Sequence, residues 1–234
     1  MKEKIIKVYE FKELSEEIKE KVLAKHRNIN TDFNNCLDCE NEYWKEKIEE
    51  KGFTDVDIFY DVSYCQGSGA CFGGGISTVN IGKFLTDKKY DVLKNLIEKN
   101  YIEIYGSILT NSGSNHYFHK HTRYFEITDN FYPEGDKEFY NIIKKNLPKL
   151  YNQYKLKLII DDEKEIECFF VEVEKAIENL IDDLEKDIEE LRQDICDEMY
   201  KSFCKYYEDL ESDEAVIDTI EANDYEFDIE GNIL

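Results

Sequence analysis

The chain has 234 residues, 41% hydrophobic and 14% aromatic, which is enough to build a core and too aromatic for a disordered chain. With 53 acidic against 30 basic residues its formal net charge is −23, a sign that repels nucleic acid and excludes direct nucleic-acid binding as the expected role. No apolar run approaches the ~18 residues of a membrane span, the start MKEKIIKVYEF lacks a signal peptide's apolar stretch and cleavage site, and the seven cysteines are expected to be thiols of a cytoplasmic protein.

The charge is unevenly placed. Residues 1–160 carry 24 basic and 25 acidic side chains, about −1, whereas residues 161–234 carry 6 against 28, about −22. This predicts a near-neutral body, 1–160, joined to an acidic helical region, 161–234, packed on it as one domain.

IIKVYEF (5–11) reads as a first strand. Ser15 is placed to cap a helix in ELSEEIKEKVLAKHR, with acids in its first turn and Lys25 and Arg27 in its last. A second helix is predicted over DFNNCLDCENEYWKEKIEEKG, ending at Gly52. VDIFYDVSY alternates as a half-buried strand, and after a glycine-rich stretch the β-branched run ISTVNI is expected to pair back with it. Thr86 then caps a short helix, and YIEIYGSIL and HYFHKHTRYFEI read as two strands joined by TNSGSN. From about Ile166 to Leu210 there is no Gly or Pro. Apolar residues fall there in steps of three and four, from Phe170 to Phe203, predicting a helix of ~45 residues, ~67 Å if unbroken. Ser212 caps DEAVIDTIEAN, and YEFDIEGNIL reads as a small hairpin turning at Glu230–Gly231. The fold class expected is α+β: an antiparallel sheet of about four strands, flanking helices and a long acidic C-terminal helix.

YCQGSGACFGGG (64–75) is the most unusual stretch. A phosphate-binding P-loop needs G-x-x-x-x-G-K-[ST], but Gly82-Lys83 has Ser77 at the first Gly position and Phe84 at the last. A dinucleotide loop needs G-x-G-x-x-G, but Phe72 occupies the third glycine position after Gly67 and Gly69. A hairpin is therefore expected, with Gly67–Gly69 as its turn and Gly73–Gly75 as a bulge or close backbone approach; a loop site at Gly67, Gly69 and Gly73 is the alternative.

The run YDVSYCQGSGACFGG resembles the YSxSYxQGDGAxF segment of a family of small tailed-phage and prophage proteins. FKELSEEIKEKVLAKHRNIN, HYFHKHT and SDEAVIDTIEANDYEFDIEGNI are similar to further segments of that family, in the same order. The resemblance implies a phage or prophage setting, and some members are labelled antitoxins of toxin–antitoxin pairs. At Ser68 the family usually has Asp, so the chain lacks there the carboxylate that a cation would use.

His116, His119 and His121 are the candidate metal ligands. On a strand, His119 and His121 would share a face opposite His116, which supplies two ligands where zinc needs three or four. Cys36 and Cys39 form a lone CxxC without the second pair of a zinc knuckle, and are expected inside a helix. Cys168, Cys196 and Cys204 lie in or beside the apolar stripe and are expected to be buried. His26 is expected to be a satisfied core or boundary histidine. Neither a metal nor a cofactor is expected.

The densest acidic cluster is Asp182, Asp183, Glu185, Asp187, Glu189 and Glu190. With no G-x-S-x-G, H-E-x-x-H or EF-hand loop in the chain, the function expected is a non-enzymatic interaction protein. Its acidic helix would dock on the basic, nucleic-acid-binding surface of a host protein; in the phage or prophage setting that the resemblance implies, that partner would be a defence protein and the chain an inhibitor of the anti-CRISPR or anti-restriction type. The alternatives are an antitoxin, a metal-dependent hydrolase using His116, His119 and His121, and a solubilising role for the acid in a homodimer formed through the long helix.

Overall fold

In a computed structural model, the structure describes residues 7–32, 36–112, 117–159 and 163–234. In chain order the elements are β1 (Tyr9–Glu10), α1 (Glu16–His26), α2 (Asp38–Lys51), β2 (Thr54–Asp61), β3 (Gly69–Ile76), α3 (Thr78–Ile81), α4 (Asp91–Glu98), β4 (Ile102–Thr110), β5 (Arg123–Phe131), α5 (Lys137–Asn146), α6 (Pro148–Ile159), α7 (Glu163–Leu210), α8 (Asp213–Ala222) and β6 (Glu226–Phe227). The class is α+β, with a four-stranded antiparallel sheet in the order β2-β3-β4-β5. No helix among the described residues is long and apolar enough to cross a membrane.

Packing divides the chain into two units that do not follow the change of charge at residue 160. One contains residues 1–43 and 201–234; the other contains residues 44–200.

In the first unit, β1 pairs antiparallel with β6, Tyr9 opposite Phe227. Phe11, Leu14, Val22, Val216, Ile220 and Phe227 form its core. Arg27 donates to the Glu211 carbonyl at 3.0 Å and to Asp213 at 2.7 Å, and Thr219 donates to Asn30 at 2.7 Å, fastening the end of α1 and the loop after it to α8 and the residue before it. The small terminal turn is present, with Phe227 bridged to Ile233 and Gly231 at φ 82°. Ser212 caps α8 by accepting from the Ala215 amide at 3.2 Å, whereas the Ser15 hydroxyl makes no capping bond. His26 is not the satisfied histidine expected: its Nε2 is buried with no partner among the described residues.

In the second unit the core gathers Phe53, Phe72, Ile81, Leu93, Leu96, Ile104, Phe125, Phe139 and Ile143 with the inward residues of α7. β4 alternates cleanly, Ile102, Ile104, Gly106 and Ile108 buried, and it pairs with β5 over nine positions from Ile102–Phe131 to Thr110–Arg123.

Three local expectations are corrected. ISTVNI is not a strand: Ile76 ends β3, and Ser77 accepts from the Asn80 amide to cap α3, so capping chemistry overrides β-branching. The helix after residue 86 is capped by Asp87, not Thr86, through a 3-10 turn leading into α4. Residues 117–122 are not a strand either, since β5 begins only at Arg123.

The long helix is one unbroken element of 48 residues. Phe169, Val173, Ile177, Ile181, Leu184, Ile188, Ile195, Met199 and Phe203 are buried within the single chain. Cys196 is buried and Cys204 half-buried, but Cys168 is exposed, because it falls on the helix face opposite the stripe.

Candidate functional site

The acidic face of α7 separates into two sets of carboxylates. β5 is an edge strand, so alternate amides face away from β4. Two of these are met by side chains of α7: the Phe125 N–H donates to Glu189 at 2.9 Å and the Ile127 N–H to Glu185 at 2.7 Å. Glu185 and Glu189 are four residues apart on one helix face and flank the apolar stripe, so they reach the strand as the stripe packs.

Arg192, the only arginine of α7, completes the seam. It is fully buried and donates to Glu189 through Nε at 2.7 Å and Nη2 at 2.8 Å. It also donates to the main-chain carbonyls of Lys120 and Arg123, each at 2.8 Å, and to the Cys196 sulfur at 3.5 Å. Burial alone would raise the Glu189 carboxyl. Hydrogen bonds from Arg192 and Gln193, the arginine's charge and the Phe125 amide outweigh it, holding the group below its ordinary range.

Asp187 is engaged elsewhere, accepting from the Tyr90 hydroxyl at 2.6 Å and pairing with Lys89 at 3.0 Å. These contacts lower its carboxyl, while burial, reinforced by Asp187, pushes Tyr90 up to about 12. Lys120 pairs with Asp197 at 2.5 Å.

Asp182, Asp183 and Glu190 face solvent; among the described residues Asp183 pairs with Lys186 alone, at 4.0 Å. Asp194 and Glu198, which lie outside the cluster singled out by density of acid, are also exposed and continue the acidic row. From Asp182 to Glu198 the row covers about 24 Å at ~1.5 Å per residue.

The glycine stretch and the histidine segment meet. The turn is Cys65–Ser68, closed by the Ser68 N–H on the Cys65 carbonyl at 3.0 Å, with Gly67 inside it; Gly69 and Gly73 lie in β3 rather than in a loop. Ser68 accepts from the Cys65 amide at 2.8 Å. The Phe118 N–H donates to the Gly67 carbonyl at 3.3 Å, and a Cβ on Gly69 would lie 2.6 Å from the His119 Cα. Gly74, at φ +134°, faces the bulge of β2, where its Cβ would meet the Thr54 carbonyl oxygen at 2.6 Å; this is a close backbone approach.

His119 therefore ends a coil segment and opens a 3-10 turn, Thr122 bonding back to its carbonyl at 2.8 Å. Its ring stacks on Tyr117 at 5.9 Å and meets His121 edge-on at 6.1 Å, and its Nδ1 is buried with no partner among the described residues. His116 lies outside the described residues. Cys36 precedes α2, where burial raises its thiol, and only Cys39 is inside the helix, exposed in its first turn. Among the described residues no three His, Cys, Asp or Glu side chains are grouped to hold a metal ion.

In the first unit a cavity of about 460 Å³ is lined by Phe11, Ile220 and Tyr225 together with Glu10, Glu221 and Glu226. Lys12, also at its wall, is paired with Glu10 at 2.5 Å. Comparison with protein-family models, with curated proteins and with solved structures found no match to the chain.

Proposed function

We propose that this is a non-catalytic binding protein that uses the outer carboxylates of α7 to occupy a basic, nucleic-acid-binding surface of another protein. The observation that carries the reading is the division of labour along the helix. Glu185, Asp187 and Glu189, with Arg192, fasten α7 to its own unit. Asp182, Asp183, Glu190, Asp194 and Glu198 are left exposed on a helix that cannot rearrange freely. A fixed row of negative charge on a well-anchored element loses little side-chain and backbone freedom on binding and speeds encounter with a positive surface.

The resemblance to phage and prophage proteins supplies the biological setting of the proposal: a host defence protein that handles nucleic acid. The antitoxin reading uses the same chemistry with a toxin as the partner.

The test is capture from host lysate by the immobilised protein, repeated with duplex DNA as competitor. The proposal expects a nucleic-acid-binding protein that DNA displaces and that is lost between ~50 and ~200 mM salt. Capture indifferent to both DNA and salt contradicts it.

A further inference from the structure

The seam between α7 and β5 joins main-chain amides of the strand to carboxylates of the helix. The amides of Tyr124 and Glu126, alternating with those of Phe125 and Ile127, face β4 and have main-chain partners. Those of Phe125 and Ile127 have carboxylates.

We propose that Glu189, paired with the buried Arg192, forms an acid-opened latch on the free edge of β5, beside the clasp that Glu185 makes on the same strand. Protonation of Glu189 releases the Phe125 amide while the ladder between β4 and β5 stays closed. The inference is independent of what the outer carboxylates bind.

Two physical effects drive the opening. A carboxylate accepting a main-chain N–H makes a charge-assisted bond, roughly twice as strong as its neutral counterpart. Protonating Glu189 also removes the counter-charge of the fully buried Arg192, and a buried charge without its partner disfavours the closed arrangement. Against the effect of burial, the bonds from Arg192 and Gln193 hold Glu189 below its ordinary range, so its stabilisation is complete above that range and is lost as pH falls through its folded pKa.

The other charged groups of the seam respond differently. On β5, Asp129 is raised by burial and by Glu178 of α7, so acid relieves repulsion there and tightens that end. The Lys120–Asp197 pair bonds the segment before β5 to α7, and Lys89 and Tyr90 hold Asp187; neither contact touches the two amides. The Arg123 side chain is turned away to Thr110 and the Phe59 ring. The latch thus opens from its Arg192 end.

The test is amide hydrogen exchange by NMR on the whole chain, from neutral pH down through the carboxylate range. Phe125 is compared with Tyr124 and Glu126 of the same strand, which cancels the intrinsic pH dependence of exchange. The expected result is at least a tenfold rise in the ratio before the global acid transition. Glu185→Gln, which leaves Arg192 its partner, should raise the ratio at Ile127 at neutral pH, and Glu189→Gln should do so at Phe125. A ratio that stays constant until the chain unfolds as a whole overturns the proposal. So does parent-like exchange at Ile127 in Glu185→Gln, a result that stands even if Glu189→Gln fails to fold.

Discussion

Replacing Arg192 by Met should unfasten α7 more than any other single change along the helix. The guanidinium is fully buried and makes two bonds to Glu189, one to each of two main-chain carbonyls and one to Cys196. Removing it leaves Glu189 as a partly buried carboxylate with Gln193 and the Phe125 amide as its partners among the described residues, and leaves the Lys120 and Arg123 carbonyls without this donor. Breaking a buried pair from one side costs about 3–5 kcal/mol. The two carbonyls, at ~1–3 kcal/mol each when unsatisfied, are largely contained in that figure because the sites are coupled. Against a typical stability of ~5–15 kcal/mol this is a large share. Trp44 is the only tryptophan, lies in the same unit and is 3% exposed, so urea unfolding followed by its fluorescence reads the effect directly. With a slope of ~1–3 kcal/mol/M the midpoint should fall by on the order of 1–2 M. Arg192→Lys should recover little, since one ammonium cannot span a carboxylate and two carbonyls. Changing Glu189 to Met as well should restore much of the loss, because neither charge then remains buried. A loss under about 1 kcal/mol for Arg192→Met would refute the view that this arginine holds the helix to the strand.

Three smaller effects follow from local geometry. Ser212→Ala removes a capping bond to the Ala215 amide and should cost about 1 kcal/mol, whereas Ser15→Ala, at a cap without such a bond, should cost a few tenths; equal losses in denaturant unfolding would contradict the assignment. Gly69→Ala would set a Cβ 2.6 Å from the His119 Cα, so it should destabilise by ~1–3 kcal/mol and shift the NMR signals of His119 and His121; unchanged signals would show that the two segments are not in contact. Burial, and secondarily Lys25, lowers the His26 pKa, so its neutral form is favoured in the fold. Stability of the first unit is therefore whole above about pH 6.5 and declines as pH falls from there to the folded pKa; His26→Leu should abolish that slope, and an unchanged slope would count against it.

The long helix was legible because its signal is internal: no Gly or Pro and an apolar residue every three or four positions. The glycine strand was not, because glycine has no side chain to show alternation. β3 is a strand only because its partners β2 and β4 make it one, and Gly74 is where the bulge of β2 presses closest. The histidine segment reads as a strand by residue type, but contact with Gly69 and the bond from Thr122 to His119 turn it instead. The sorting of carboxylates was half-legible. Glu185, Glu189 and Arg192 each follow a residue of the apolar stripe by one position, at steps of four and three, and a lone arginine in an acidic helix marks a place where charge is needed inside. Which carboxylates meet β5 depends on how the helix lies along the strand, and that is set by long-range packing.

The proposed function requires the outer row of α7, and not the chain's total charge, to be the binding surface. It is tested by comparing two neutralised variants for association with the protein captured from lysate. In one, Asp183→Asn, Glu190→Gln and Asp194→Asn are combined, all exposed positions. In the other, three exposed acids of the first unit, Glu16, Glu214 and Glu221, are changed to Gln, removing the same charge. The first variant should associate at least tenfold more slowly at low salt with an unchanged urea midpoint, and the second should associate like the parent within about twofold. Equal slowing in both would show that only net charge matters, and parent-like association of the first would contradict the assignment of α7 as the docking surface.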